Sequence, residues 1–208
     1  MKLRACDPAR DRAAVYAICL ETGDAGQDAT RMYRDPELLG HLYAGPYLAL
    51  EPELASVLED GAGVCGYVIG ALDTTAFERR LELEWRPPLR WRYPAPSGEP
   101  ASWSADQRAI QRLHDPPAPP AEALESHPSH LHINLLPRAQ GRGQGRRMIG
   151  RLLDQLQERG SPGVHLGVLA RNAAAVGFYR ALGFVELLRR GEGANEAIYM
   201  GKGLRLPR

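Results

Sequence analysis

Hydrophobic positions follow two periods along the chain, and together they predict an α/β protein. Residues 2–6 have the pattern of a short strand, and a helix pattern begins after Asp7-Pro8. A second short helix is predicted after Asp35-Pro36. The connection between the two helices, residues 23–34, is polar and contains glycine, so we expect this loop to cover a site.

The middle of the chain changes character twice. Apolar runs at 54–59 and 64–72 are separated by a turn composition that predicts an antiparallel hairpin. Residues 73–129 are rich in proline and interrupt the strand pattern, apart from a helix that Ser104 caps with Gln107 three residues on. We interpret 73–129 as an insertion in a single domain of residues 1–208.

The second half of the chain alternates strands with helices. Its strongest feature is an apolar helical stripe, formed by Met148, Ile149, Leu152, Leu153 and Leu156. The other predicted elements are strands at 131–136, 164–169, 184–188 and 197–201, and a helix at 173–182.

Composition and charge exclude several function classes. The 208 residues are 44% hydrophobic and 25% charged, which is ordinary for a globular domain, and the formal net charge is +1. Such a balance gives no global attraction to nucleic acid or to an anionic membrane. The cysteines, Cys6, Cys19 and Cys65, are odd in number and lie among apolar neighbours, as buried thiols do. With no apolar run of membrane-spanning length, the sequence predicts a cytoplasmic protein without a disulfide framework or a metal site.

A glycine-rich turn, Gln140-Gly141-Arg142-Gly143-Gln144-Gly145, joins the strand at 131–136 to the strongest helix. Free backbone N–H groups and the positive end of the helix dipole converge at such a turn, so it is suited to hold a phosphate. The alternative is that the glycines only make the helix N-terminus flexible. Each glycine in a helix costs about 1 kcal/mol, so a binding role that offsets this cost is favoured.

Other phosphate-binding and nucleic-acid motifs fit the turn poorly. A Walker loop needs Gly-Lys-Ser/Thr where Arg146-Arg147 follows Gly145, and a dinucleotide turn needs glycine at position 146. An Arg-Gly nucleic-acid tract would be repeated and disordered, whereas this turn is short and enters an amphipathic helix. We therefore predict no nucleic-acid partner.

Two linked segments carry a resemblance to the GNAT acetyltransferase superfamily. The pattern Gln140-x-x-Gly143-x-Gly145, after a strand that ends Leu135-Leu136-Pro137, resembles the pyrophosphate signature of that family. Downstream, Asn172-Ala-Ala-Ala-Val-Gly-Phe178-Tyr179-Arg-Ala-Leu-Gly183-Phe184 resembles its second cofactor segment. The whole chain further resembles the acetyltransferase-like domain that ends eukaryotic O-GlcNAc hydrolases.

The resemblance implies a fold and a set of cofactor residues. The fold would be the GNAT α/β fold, a mixed and mostly antiparallel sheet of about six or seven strands with helices on both faces. The backbone of Leu135 and Leu136 would pair with pantetheine and polarise the thioester carbonyl of acetyl-CoA, Asn172 would hydrogen-bond the pantetheine arm, and Phe178 would pack on it. The implied cofactor-binding set is Leu135, Leu136, Pro137, Gln140, Gly141, Arg142, Gly143, Gln144, Gly145, Arg146, Asn172, Ala175, Phe178 and Tyr179.

Catalytic candidates are weaker than cofactor candidates. Tyr179 would face the sulfur and protonate the leaving thiolate, a transfer that is uphill by roughly 2 kcal/mol in water because phenol and thiol pKa values are about 10 and 8.5. His132 is the candidate base for the acceptor amine. A packed aromatic ring and a satisfied strand histidine are the alternatives for these two residues. Glu21 and Asp24 could orient a cationic acceptor, or they could simply be solvated.

The leading functional hypothesis is an N-acetyltransferase that acts on a small-molecule amine or a protein amine, as a monomer or homodimer away from membranes. The alternative is a non-catalytic acetyl-CoA-binding module that senses the cofactor or scaffolds a partner. The aromatic and basic segment 85–93 is interpreted as a wall over the acceptor groove or as an intermolecular contact, rather than as a nucleic-acid surface.

Overall fold

A twisted mixed sheet organises the protein. The computed structural model describes residues 1–204, and within them the sheet has seven strands in the order β1-β2-β3-β4-β5-β7-β6. All neighbouring pairs are antiparallel except β4 and β5, which are parallel. The predicted α/β fold with a mostly antiparallel sheet is confirmed.

The strands and helices occupy most of the described chain. The strands are β1 (Lys2–Ala5), β2 (Ser56–Asp60), β3 (Gly63–Ala71), β4 (Ser129–Leu135), β5 (Gly163–Leu169), β6 (Val185–Arg190) and β7 (Ala197–Gly203). The helices are α1 (Pro8–Glu21), α2 (Leu38–Tyr43), α3 (Gly45–Leu50), α4 (Thr74–Arg80), α5 (Arg86–Arg92), α6 (Ala105–His114), α7 (Ala121–Leu124), α8 (Gln144–Glu158) and α9 (Ala173–Ala181).

Helices cover both faces of the sheet, and β4 shows which face is which. The side chain of His132 meets the Tyr47 ring of α3, and Asn134 meets Thr22 beyond α1, so even-numbered residues of β4 face the α1–α3 layer. The opposite face is covered by α8, whose Leu152 lies against Gly70 of β3. The apolar stripe predicted on α8 is the part of this helix that is buried against the sheet.

The segment between β3 and β4 is more helical than the sequence pattern predicted. Residues 74–92 form α4, a short π-helical segment at 81–85, and α5, and the two prolines of Pro87-Pro88 lie in the first turn of α5 where no helical N–H is lost. The capping box of Ser104 and Gln107 on α6 is confirmed. No helix within residues 1–204 is long and apolar enough to cross a bilayer.

A buried ion pair ties the first strand to the first helix. The guanidinium of Arg4 donates two hydrogen bonds to the Asp11 carboxylate, at 2.6 and 2.8 Å, and a third to Glu59 at 2.7 Å. Asp11 is 2% exposed. Removing one partner of a buried ion pair leaves the other charge uncompensated in the protein interior, which lowers the free energy of unfolding.

We expect Asp11→Asn to lower the free energy of unfolding by about 2 kcal/mol at neutral pH, since Arg4 keeps Glu59. The Arg4 hydrogen bonds hold the pKa of Asp11 below its ordinary value. Its contribution is therefore fully present above about pH 4 and is lost as the pH falls further, through the folded pKa. Denaturant unfolding between pH 2 and 7 should show that acid loss in the parent and in the exposed control Asp154→Asn, and a flatter curve in Asp11→Asn.

Candidate active site

The parallel strands β4 and β5 pair at only two positions and then diverge. Ser129 lies opposite Val164 and His130 opposite His165, and no further β4–β5 pairing occurs within the part of the chain that the structure describes. Beyond His130 and His165, the sheet is therefore split between β4 and β5. A gap of this kind exposes backbone groups that a sheet would otherwise pair.

The backbone groups that line the gap follow from the register. The N–H of Leu136 donates to Cys65 O at 2.9 Å, and the antiparallel pattern repeats every two residues, so His132 and Asn134 also turn their backbone toward β3. Ile133 and Leu135 therefore turn theirs toward β5. On β5 the N–H of Ala170 donates to Glu196 O, so Val168, two residues earlier, also turns its backbone toward β7. The backbone of Gly167 therefore turns the other way and faces the gap.

These bonds correct the expectation for Leu136. Both of its backbone groups are engaged, since its carbonyl also accepts from Ala139 N–H at 2.8 Å. The Leu135 carbonyl accepts from the Gln140 side chain at 2.8 Å, which leaves the Leu135 N–H directed into the gap. Ile133, which the sequence reasoning did not single out, contributes both an N–H and a carbonyl there.

The glycine turn has the conformation that its sequence predicts. Gly141 and Gly143 both have φ of +71°, in the left-handed region, and a Cβ at either position would meet open space. Gly143 is the N-cap of α8 and no side chain caps this end. Among residues 1–204, the N–H groups of 141–146 have no hydrogen-bond acceptor. The turn therefore presents successive free donors at a helix N-terminus.

Gly145 joins the glycine turn to the second predicted segment. A Cβ at this position would lie 2.9 Å from the Phe178 ring of α9 and 3.3 Å from the Leu135 side chain. Only a residue without a side chain lets α8 approach both groups. The two sequence segments, whose nearest ends, Gly145 and Asn172, are 27 positions apart, meet here at the mouth of the gap.

We expect Gly145→Ala to lower the free energy of unfolding by about 1–2 kcal/mol, because the added methyl group forces Phe178 or Leu135 to move. Gly150→Ala on the same helix is the matched control. Its Cβ would meet nothing within 4 Å, so that variant should gain about 0.5–1 kcal/mol from helix propensity. Opposite signs in thermal unfolding confirm the close contact, and equal signs contradict it.

The second segment places Asn172 and Tyr179 at the two ends of α9. Asn172 caps the helix, and its Oδ1 accepts from Ala175 N–H at 3.1 Å. Tyr179 is 8% exposed and packs its ring against Phe178 and Phe184. Burial raises its pKa to about 12, and its hydroxyl has no hydrogen-bond partner among the described residues. A hydroxyl without a partner in the protein is a proton donor available to a ligand.

His132 belongs to a histidine cluster at the base of the gap. Its ring lies 6.1 Å from that of His130 and 5.5 Å from that of Tyr47, and it keeps part of its surface exposed. Desolvation, with a smaller contribution from His165, lowers the pKa of His132 to about 4. The imidazole is therefore neutral at pH 7 and holds a proton weakly.

His130, by contrast, is fully engaged. Thr74 Oγ1 donates to Pro128 O, so it accepts from His130 Nδ1, and Nε2 then accepts from the Tyr47 hydroxyl, each at 2.7 Å. This bonding fixes a neutral tautomer, and burial lowers the pKa of His130 well below its usual range. His130 is a core residue, and His132 is the member of the pair that remains accessible.

The remaining predicted residues lie around these groups. Arg146 donates to Ala181 O at 3.1 Å and so ties α8 to the end of α9, while Arg142 and Pro137 are exposed. Gln144 is partly buried, and its Oε1 has no hydrogen-bond partner within residues 1–204. Glu21 is exposed at the end of α1.

The segment 85–93, interpreted from the sequence as a wall over the acceptor groove or as an intermolecular contact, packs beside α2. Trp85 donates to His41 O at 2.9 Å, and Arg92 contacts His41 and Glu37, so the segment is fastened to α2. Trp91 alone stands out, at 90% exposure. Local sequence patterns cannot predict these contacts, because their partners are about 50 residues away.

Comparisons with known proteins agree with this geometry. Residues 109–184, which include the glycine turn and α9, match the family described as the Acetyltransferase (GNAT) family. The protein O-GlcNAcase of Rattus norvegicus is 27% identical over 94% of this chain, and the chain spans only 21% of that protein's length. The GCN5-like protein acetyltransferase Rv2170 of Mycobacterium tuberculosis is 35% identical over 57% of this chain and 58% of its own. The crystal structure of SsHAT has 40% identity and a TM-score of 0.87, with 98% of both chains covered.

Proposed function

Because this chain belongs to the GNAT acetyltransferase family, we propose that it binds acetyl-CoA and transfers the acetyl group directly to an amine. Bound acetyl-CoA would supply the activated acyl group as a thioester. The acceptor would be a small-molecule or protein amine. A cytoplasmic location, and a single domain with an insertion at 73–129, stay predictions.

One observation supports the proposal most. The free N–H groups of the glycine turn and the unpaired backbone of the β4–β5 gap adjoin each other, and Gly145 joins them through its contacts with Leu135 and Phe178. A pyrophosphate fits the first group by charge and hydrogen bonding. An extended arm with two amides fits the second, because it can pair with strand edges as an added strand does.

The residues of the gap match the needs of acetyl transfer. The N–H groups of Ile133 and Leu135, which face the gap, would donate to the thioester oxygen as it becomes negative during attack by the amine. When the C–N bond forms and the C–S bond breaks, the Tyr179 hydroxyl would donate its proton to the departing sulfur and would then regain a proton from solvent. Its raised pKa keeps it protonated across the neutral range.

His132 would act on the acceptor side. An alkyl ammonium with a pKa near 10 is only about one part in a thousand neutral at pH 7, so the amine must lose a proton before it attacks. A neutral His132, accessible on the α1–α3 face, can accept that proton and pass it to solvent. Its low pKa makes His132 a weak base that would release the proton to solvent at once.

The proposal is tested by binding and turnover measured separately. Acetyl-CoA should raise the melting temperature, since a ligand that binds only the folded state stabilises it. Release of the CoA thiol should then exceed background hydrolysis for at least one member of a panel of small amines and lysine peptides. Binding without amine-dependent release across the panel would favour a non-catalytic acetyl-CoA sensor. The absence of a melting shift would overturn the proposal itself.

A further inference from the structure

Residues 22–27, here called the strap, cross the open gap between β4 and β5. At one end Thr22 Oγ1 accepts a hydrogen bond from the Asn134 side chain of β4. Two residues further along the strap, Asp24 forms an ion pair with Arg171, just beyond β5, at 2.6 Å. The strap is therefore attached to both strands beyond the point where they stop pairing with each other.

The strap is a tight turn with a backbone conformation that side chains disfavour. Asp24 and Gln27 exchange two backbone hydrogen bonds, at 3.0 and 2.9 Å, and Ala25 and Gly26 between them have φ of +51° and +91°. These are the signs of a type I′ turn. A non-glycine residue in this region is strained, and such strain persists only where the surrounding contacts enforce it.

The tip of the strap lies against a residue proposed to bind the cofactor. A Cβ at Gly26 would be 3.3 Å from Asn172 Nδ2, so the amide group of Asn172 lies directly beneath the turn. Since Asn172 Oδ1 is held by Ala175 N–H, its Nδ2 is the end that faces the strap. Arg171, which precedes Asn172, thus holds the strap beside this amide.

The strap also lies on a definite side of the sheet. The glycine turn begins α8, which covers one face, whereas Thr22 meets β4 on the face of α1–α3. A donor whose pyrophosphate sat at α8, as proposed above, would enter the gap from the α8 face, and its acyl end would point to the other face. The strap therefore closes the space into which the acyl group would extend.

We propose that the Asp24–Arg171 ion pair latches the strap across the gap, and that the latched strap limits the site to short acyl groups. Asp24 and Arg171 are positioning residues in this scheme and act through the strap. The size limit rests on the proposed acetyl-CoA site. The latch itself does not depend on that site and can be tested in the free protein.

The latch is tested by amide hydrogen exchange of Gly26 and Gln27, whose N–H groups are bonded within the strap. Asp24→Asn and Arg171→Gln should each speed this exchange about 5–10-fold, and the charge-reversed double variant Asp24→Arg/Arg171→Asp should restore the parent rate. Arg189→Gln removes two ion pairs of similar exposure, with Glu186 and Glu196 on the far side of the sheet edge at β6 and β7, and should change nothing in the strap. Exposed pairs contribute little to global stability, so all variants should fold. Equal exchange rates in the parent and the single variants would overturn the latch.

The size limit is tested with acetyl-, butyryl- and octanoyl-CoA by thermal shift and titration. The parent should bind octanoyl-CoA at least about 10-fold more weakly than acetyl-CoA, and the two single variants should reduce that ratio to about 3-fold or less. Restoration of the ratio in the double variant shows that the pair acts through its charges. An unchanged ratio in the single variants contradicts the size limit. Failure of the parent to bind any of the three would instead contradict the acetyl-CoA site.

Discussion

Gly143→Glu is expected to abolish the melting shift that acetyl-CoA produces and to weaken its binding by on the order of 100-fold, or about 2.7 kcal/mol. Gly143 is the N-cap of α8 at φ +71°, so glutamate would be strained there by about 1–2 kcal/mol. Its carboxylate would also compete for the free N–H groups and repel a pyrophosphate. Titration calorimetry with acetyl-CoA, and melting with and without it, measure the effect.

Gly98→Glu is the matched control for Gly143→Glu. Gly98 has φ of +84°, and a Cβ there also meets open space, but it lies in the loop before α6. Both variants should lose similar stability without ligand, and only the variant at 143 should lose binding. If Gly143→Glu binds acetyl-CoA as the parent does, the glycine turn is not the pyrophosphate site.

Tyr179→Phe is expected to lower kcat for amine acetylation on the order of 100-fold and to leave acetyl-CoA binding unchanged. The Tyr179 hydroxyl has no hydrogen-bond partner among the described residues, so its removal costs little stability while it deprives the departing sulfur of its donor. Steady-state kinetics with an amine from the panel, together with the melting shift, separate the two effects.

The pH dependence gives a second measure of the same role. A pKa of about 12 keeps Tyr179 protonated up to pH 10, so the rate of the parent should rise with pH as the amine loses its proton, without a loss caused by the tyrosine. Tyr16→Phe is the matched control. It also removes a tyrosine hydroxyl, but that hydroxyl contacts His41 of α2 at 3.3 Å and has no role in the proposed proton transfer. A parent-like kcat in Tyr179→Phe would assign the ring a packing role only.

Sequence patterns predicted most elements that carry the site. The α8 stripe, the strands on either side of α8 and the capping box of α6 follow from local periodicity and side-chain chemistry, and all three are present. The second helix begins at Leu38 rather than at Pro36; Asp35 Oδ1 accepts from the Glu37 N–H just before it, and Oδ2 accepts from the Tyr93 hydroxyl, 58 residues away. Residues 74–92 were not predicted as helical, because their charged and apolar positions show no clear period.

The candidate site was less predictable than the fold around it. Which backbone amides of β4 are free depends on pairing with β3, and that pairing engages Leu136 and releases Ile133. The neutral state of His132 depends on burial next to other histidines. Neither property can be read from the residues themselves.

By itself the sequence determined the local devices of this protein: the two left-handed glycines that open the start of α8, the capping asparagine of α9 and the amphipathic stripe between them. Each depends on conformational preferences within a few residues. Only the tertiary structure decided how these devices meet. It set where β4 and β5 separate, and it brought together the residues of the Gly145–Phe178 contact and of the Asp24–Arg171 pair, the latter 147 positions apart. Packing, rather than local conformational preference, sets such distances.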